Sequence, residues 1–450
     1  MRLFKMNLHI ELVKKLSSIL ILTAKNIAQT LSNTSVSYGA PNKVADSRFT
    51  QVQPSTGRLS TLSWTTPPPL QAAPKLNVMM LGLRGFPNVQ GGIEAHAEQL
   101  CPLLVSLGCN VEVLVRSPYQ PKEIGDNWKG VKFSRVWAPK SKGFEALIHT
   151  FLGVLYAAIK RPDVLHIHAI GPALMTPLAR LLGLKVVVTH HGPDYNRQKW
   201  GFVARTILIL GEALGMRFSN GRIAISNLIR ELVLHKHTMH SELIYNGVNI
   251  PDEIVEETEQ AAYDRVLTQF DLKSGRYILL VSRLVPEKRH IDLINAFKQA
   301  NINDCKLVLA GDSDHPDDYV KQLLEIAGNT PNVVMAGYQT GPSLDSLYSN
   351  AGLYVLPSSH EGLSISLLEA LSHGIPVLAS DIPANLEIAL PDEQYFELGN
   401  INDLKMKLKA SFEQPMNEVT LKDLQKWVEY QYDWSNIARQ TLSEYRSILR

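Results

Sequence analysis

Residues 354–371 read Tyr-Val-Leu-Pro-Ser-Ser-His-Glu-Gly-Leu-Ser-Ile-Ser-Leu-Leu-Glu-Ala-Leu, a strand, a polar turn and a helix expected to open at Gly362-Leu363-Ser364. A helix start offers unpaired backbone N–H groups and the positive end of its dipole, so this turn suits a phosphate. Glu361 precedes the opening and Glu369 follows eight residues on, about two turns at roughly 3.6 residues per turn. Both carboxylates can then project from one region, one accepting hydrogen bonds from sugar hydroxyls and the other holding a ribose. Taken singly, either Glu is equally at home as a cap neighbour or a solvated side chain. Their combination with the strand and turn is what points to chemistry.

A second charged set, Val-Ser-Arg-Leu-Val-Pro-Glu-Lys-Arg-His at 281–290, follows an apolar strand. Ligands of doubly wound folds bind beyond the carboxyl ends of strands, which puts Arg283 and Lys288 where a diphosphate would lie. Two cations there neutralise a departing nucleoside diphosphate without a metal. Earlier in the chain, Gly82-Leu83-Arg84-Gly85-Phe86-Pro87-Asn88-Val89-Gln90-Gly91-Gly92-Ile93-Glu94 is a glycine-rich loop feeding a helix. Gly91 and Gly92 would let backbone approach a ligand closely, although the loop is not a dinucleotide fingerprint. In Thr189-His190-His191-Gly192-Pro193-Asp194 a His pair has no third metal ligand at suitable spacing, so no metal is expected. Asn246-Gly247-Val248-Asn249 reads as a turn, structural or functional.

These loops need strands to hold them. From Lys75 onward, short Val/Ile/Leu runs alternate with longer amphipathic segments, the rhythm of parallel sheets wrapped by helices. Strands are expected at 77–83, 110–115, 164–168, 185–189, 222–225 and 243–245, then at 277–281, 306–310, 332–336, 353–356 and 376–379. Ile93, Ala97, Leu100, Cys101 and Leu104 form one helical stripe between the first two. The acidic stretch 251–275 interrupts the rhythm and is read as a linker. This gives an α/β fold of two doubly wound, Rossmann-like domains, 76–250 and 276–432, with a polar, surface-lying terminal helix in 433–450.

With 450 residues, 45% hydrophobic and 20% charged, the chain has room for two globular cores. Its first 75 residues hold nine Lys or Arg against Glu11 and Asp46, leaving 36 basic and 41 acidic residues in the body. That balance argues against nucleic-acid binding. In the basic extension, Leu8, Leu12, Leu16, Ile19, Leu20 and Ile27 recur at helical spacing, as in a membrane-surface helix or a targeting segment. A Ser/Thr/Pro-rich, disordered passage is expected to follow. Cys101, Cys109 and Cys305 are too scattered for a disulfide framework, which fits a cytoplasmic protein.

Arg283 and Lys288 after one strand, Gly311-Asp312 after the next, and Glu361 with Glu369 resemble the retaining nucleotide-sugar glycosyltransferases of family four, which have the GT-B fold. The likeness runs from about Leu76 onward. Gly82-x-Arg84-Gly85-x-Pro87, Gly91-Gly92-x-Glu94, 166–172, His191-Gly192-x-Asp194 and Lys199-Trp200-Gly201 resemble a rhamnosyltransferase-like subgroup of bacterial polysaccharide assembly.

The resemblance implies several roles. Arg283 and Lys288 grip a donor diphosphate over the helix start at Gly362, Leu363 and Ser364. Glu369 holds the ribose, Glu361 contacts the transferred sugar, His191 lines the reaction centre, and Gly91 and Gly92 lie under the diphosphate. The implied partners are a nucleotide-diphosphate sugar and a glycan or lipid-linked acceptor, with peripheral contact at the inner face of the plasma membrane and no cofactor. The terminal helix is implied to cross back to the first domain. Asn249, Arg289 and Ser282 depart from the Asp, Gly and Gly frequent in the family. An epimerase and a catalytically silent sugar-nucleotide or polysaccharide-binding subunit are the competing readings.

Overall fold

β-Branched side chains favour extended backbone, and a run that is apolar throughout can bury both faces only where helices cover the sheet on both sides. The computed structural model describes residues 75–120, 122–139, 144–197, 201–251, 257–313, 317–413 and 417–450. The basic extension with its amphipathic stretch, together with Lys199 and Trp200, lies outside them. All described residues belong to one compact unit.

In the first half, β1 (Asn77–Leu81), β2 (Asn110–Arg116), β3 (Asn127–Trp128), β4 (Val131–Val136), β5 (Val164–His168), β6 (Val186–His190), β7 (Gly221–Ala224) and β8 (Glu242–Leu243) make one sheet, ordered β3-β4-β2-β1-β5-β6-β7-β8. Its pairings are parallel except β3 with β4. The second half holds β9 (Tyr277–Val281), β10 (Lys306–Ala310), β11 (Val333–Gly337), β12 (Leu353–Leu356), β13 (Val377–Ser380) and β14 (Tyr395–Phe396), a parallel sheet ordered β11-β10-β9-β12-β13-β14. In each sheet the first strand lies inside, and successive strands are added on opposite sides of it. That is a topological switch point, where loops at the strands' carboxyl ends part to leave a crevice.

The apolar rhythm locates the long strands to within two residues but misses β3, β4 and β14. β4 reads Val-Lys-Phe-Ser-Arg-Val, a half-buried alternation rather than an apolar run. Three further expectations need correction. The stretch 251–275 is not all linker, because Glu257–Gln269 is a helix packed on the helix Gly341–Ser349. The helix expected at Gly362 starts at Ile365, with Ser364 as its N-cap residue. The helix Trp434–Ser447 is no mere surface element, since Trp434, Ile437, Ala438, Thr441, Leu442 and Tyr445 are buried.

The chain passes between the halves twice, and the passages run side by side. Val248, just after β8, donates its N–H to Tyr432 O at 3.0 Å and forms a parallel bridge with Asp433. Before that point the helix Glu418–Gln431 packs on the helix Ile365–Ser372 of the second half. After it, Trp434–Ser447 packs on the helix Gly92–Ser106 of the first half, and Tyr445 Oη meets His166 Nδ1 at 2.7 Å. Asp433 caps this last helix through Ser435 N and Asn436 N. A Cβ added to Gly247 would lie 2.3 Å from the Trp434 ring. Gly247→Ala is therefore expected to lower stability by about 1–3 kcal/mol through overpacking, read by urea denaturation. An unchanged midpoint would show that the crossing tolerates a methyl group.

Candidate active site

The loops after β1, β5 and β6 form one wall of the crevice. Gly82 has φ +110°, and a Cβ there would lie 2.3 Å from His168 O, so β1 can turn against β5 only through glycine. Beyond the turn, Arg84 offers its backbone N and its Nε to Glu94 Oε1 at 3.1 and 3.2 Å, and its Nη2 to Gln90 O. Burial pushes the Glu94 carboxyl up, and Arg84 more than offsets this, holding it below its ordinary range. Gly91 has φ +155°, and a Cβ there would meet Glu94 Oε2 at 2.0 Å. Gly91 therefore serves the Arg84–Glu94 pair. A Cβ on Gly92 would meet nothing within 4 Å, so packing does not require glycine there.

His190 and His191 part company. Gly192 donates its N–H to His190 Nδ1 at 3.1 Å, which places the His190 proton on Nε2, facing Glu212 Oε2 at 3.2 Å. Glu212, fully buried, also accepts from Lys236 Nζ at 2.6 Å and meets His237 Nε2 at 2.7 Å. Its carboxyl is held far below the ordinary range, hydrogen bonding and charge together outweighing burial. His191 instead turns to His168, Nε2 to Nδ1 at 3.1 Å, with the His96 ring centroid 5.1 Å away. Burial drives His191 well below its ordinary pKa, and the neighbouring imidazoles add to this, so it is neutral at physiological pH.

The opposite wall is built by loops after β9, β10 and β12. Lys288 closes a short 3₁₀ turn and gives Nζ to Glu361 Oε1 at 2.5 Å, with both side chains nearly buried. Burial raises the Glu361 carboxyl, and Lys288 carries it below its ordinary value. Arg289 has φ +51°, a left-handed conformation that explains why glycine is frequent there, and it pairs with Asp292. Ser282 Oγ meets His290 Nε2 at 2.9 Å, a bond glycine would lack. Gly311 has φ +143°, and a Cβ would lie 1.8 Å from Ser282 O. Exposed Asn249 has no contact that explains it.

The two walls touch. A Cβ on Gly362 would lie 2.2 Å from His191 O, and one on Gly192 would lie 3.5 Å from Gly362 Cα. Asn246 accepts at Oδ1 from His96 Nδ1 at 3.0 Å and donates Nδ2 to Leu363 O at 3.4 Å. In the amide orientation that satisfies both partners, Gln90 donates to Asp312 O and accepts from Asp312 N, each at 3.1 Å. Glu387 caps the helix Asn227–His237 by accepting from Asn227 N and Leu228 N. Arg197 reaches Asp194 at 2.8 Å on its own side and Glu287 at 3.9 Å across the crevice.

Four cations thus face this seam. Arg84, Arg197 and Lys288 each have a carboxylate within 4 Å. Arg283, among the described residues, has none that close. Its pKa is lowered first by desolvation and then by Arg197 and Arg84, which together outweigh the opposing pull of Glu94 and Asp194.

Residues 90–251 match the family model described as Glycosyltransferase Family 4, and residues 269–434 match Glycosyl transferases group 1. The chain is a glycosyltransferase of the family-four type with the GT-B fold. It is 26% identical over 380 residues to an uncharacterised glycosyltransferase of Methanocaldococcus jannaschii, spanning 80% of this chain and 95% of that one. It is 25% identical over 186 residues to the O-antigen chain mannosyltransferase B of Escherichia coli, spanning 40% of this chain and 48% of that one. Its fold superimposes on Anabaena HepE, solved with UDP and glucose, with a TM-score of 0.68 at 17% identity, over 83% of this chain and 100% of that one. Family membership sets the epimerase reading aside.

The transferase brings Arg283, Lys288, Glu361, Gly362 and His191 to one seam. Leu363 and Ser364 are buried beside it, and Ser364 Oγ meets Ser366 Oγ at 3.2 Å. Glu369 lies further along the helix and accepts from Tyr348 Oη at 2.8 Å rather than joining the Lys288 pair. Buried Tyr354 feels both Glu361 and Glu369. Arg197, Gln90 and His96 went unassigned in the sequence. His96 was nevertheless signalled, as a polar residue within the Ile93–Ala97–Leu100 stripe.

Burial raises the Glu369 pKa to about 7. Because the folded-state value lies above the ordinary carboxyl value of 4.5, the stability it contributes is complete below that pH and is lost as pH rises through about 7. Glu369→Gln should therefore match wild type near pH 5 and exceed it near pH 8 in urea denaturation. Equal offsets at both pH values would refute a buried, protonated carboxyl.

Proposed function

We propose that the enzyme is a retaining transferase, moving a sugar from a nucleotide-diphosphate donor held mainly by the second half to a glycan or lipid-linked acceptor held mainly by the first. The observation that carries this reading is Arg283, a half-buried guanidinium with no carboxylate within 4 Å among the described residues, close enough to Arg197 and Arg84 for their charges to lower its pKa. A partly desolvated cation crowded by two others favours an anion. A diphosphate supplies two charges and paired oxygens that a planar guanidinium can contact bidentately.

In this reading the donor diphosphate takes Lys288 from Glu361, which turns to the transferred sugar. The anomeric C–O bond breaks with its electron pair passing to the diphosphate, whose growing charge Arg283 and Lys288 neutralise without a metal. The acceptor hydroxyl attacks from the same face, and its proton passes to a diphosphate oxygen. Glu369 accepts the ribose hydroxyls, so donor binding tightens as it ionises. Neutral His191 lines the acceptor side. The Gly362–Leu363–Ser364 turn approaches the phosphates through its backbone, and Gly91 and Gly92 lie under them.

Two further features support an acceptor in cell-surface polysaccharide synthesis. The Escherichia coli relative is named for O-antigen chain mannosylation. Phe202 and Val203, 85% and 70% exposed, sit beside exposed Arg205 on the helix Phe202–Phe218, an apolar and basic face suited to peripheral contact with the inner face of the plasma membrane. Among the described residues no helix is long and apolar enough to cross a membrane. The motifs that resemble a rhamnosyltransferase-like subgroup support the same reading.

A thermal-shift panel of UDP-, GDP- and dTDP-sugars identifies the donor by the ligand that raises Tm. Product anomeric configuration, read by NMR, tests retention, and an inverted linkage would overturn it. Lys288→Ala should weaken nucleoside-diphosphate binding by about 1.5–3 kcal/mol. Glu361→Gln, which frees Lys288, should cut turnover without weakening that binding. Calorimetry showing the reverse pattern would overturn both assignments.

A further inference from the structure

His191 belongs to a trio drawn from three separate elements. His96 comes from the helix Gly92–Ser106, His168 from the end of β5, and His191 from the loop after β6. One ring nitrogen from each lies within 4.8 Å of the others, and this is the one such trio of His, Cys, Asp or Glu among the described residues. The third ligand that local spacing could not supply is thus brought in by the fold, while His190 is held apart by Glu212.

The hydrogen-bond pattern readies these rings for a metal. Asn246 donates through Nδ2 to Leu363 O, so its Oδ1 faces His96 and fixes the His96 proton on Nδ1. The His96 lone pair is then on Nε2. A ring nitrogen held as donor to an outer amide oxygen is the usual support of a metal-ligating histidine.

His168 Nδ1 and His191 Nε2 lie 3.1 Å apart. Bonds of about 2.0–2.1 Å to a tetrahedral ion put two nitrogens at roughly that separation. One ring of the pair now donates its proton to the other, whose own proton sits on its far nitrogen. Moving the donated proton to the donor ring's far nitrogen leaves protons on His168 Nε2 and His191 Nδ1 and frees both inner lone pairs, with no proton gained or lost. His168 Nε2 is buried with no present partner, and the His166 ring backs it at 4.1 Å between centroids.

We propose that His96, His168 and His191 form a transition-metal site of the kind that takes Zn²⁺, and that filling it removes His191 from the reaction centre and inhibits transfer. Three imidazoles with no carboxylate favour zinc over the hard ions Mg²⁺ and Ca²⁺. The inhibition rests on the proposed place of His191, whereas metal binding does not, so the two are measured separately.

The full chain is titrated with Co²⁺ and, in equilibrium dialysis, with Zn²⁺. Wild type should show the intense visible bands of tetrahedral Co²⁺ and take up one tightly held Zn²⁺ that displaces it. His96→Asn and His191→Asn should each weaken Zn²⁺ at least tenfold, and Asn246→Ala about tenfold through loss of ring orientation. The exposed control His235→Ala should bind and be inhibited as wild type. Only weak octahedral Co²⁺ bands in wild type would overturn the site, whatever the folding of any variant. Equal Zn²⁺ affinity in wild type and well-folded His variants would do the same. Sugar transfer should fall as Zn²⁺ fills the site and return with a chelator. Occupied sites with undiminished transfer would overturn the inhibitory role alone.

Discussion

Across the crevice backbone meets backbone at the point where the His191 carbonyl occupies the space a side chain at position 362 would need. Only glycine permits that meeting, with Gly192 completing it from the other wall. Because both loops leave rigid strands, β6 and β12, their contact sets how the two sheets' carboxyl edges face each other. His191 is thereby held against the turn that carries Glu361. The Gln90–Asp312, Asn246–Leu363 and Glu387–Asn227 bonds hold the same relation at other points along the seam.

Electrostatics within the seam follows from burial. A charge removed from water must find an opposite charge close by, and the pairs Arg84–Glu94 and Lys288–Glu361 meet that demand. They are not interchangeable. Arg84–Glu94 shapes a loop, with Gly91 conceding its side-chain space, whereas Lys288–Glu361 joins two loops of one wall. Arg283 has no carboxylate within 4 Å among the described residues, and Glu94 and Asp194 act on it only from further off.

The sheets were legible because apolar runs and periodic spacing are local properties. β9, β10 and β12 carry such runs and could be placed together with their charged loops. β4 was hidden by its polar alternation. The linker helix Glu257–Gln269 was obscured by acidic residues that are compatible with either loop or helix. The helix start at Ile365 was misplaced because Gly362 is kept for a contact made from the other half, which no local pattern records. For the same reason His191 could be picked out while His96 and His168 could not be joined to it. Their sequence positions are far apart, and only the β1–β5–β6 order makes them neighbours.

The last helix alters how the first half comes to completion. The apolar cluster around β1, β2 and the helix Gly92–Ser106 includes Trp434, Ile437, Ala438, Leu442 and Tyr445. During synthesis the early residues emerge first, yet they cannot close this core until the chain has been made as far as Tyr445. Tyr445 also fixes His166 behind His168. The first half's wall is thus finished only after the second half that it faces has been translated, so a chain that stops short of the last helix lacks part of the first half's core.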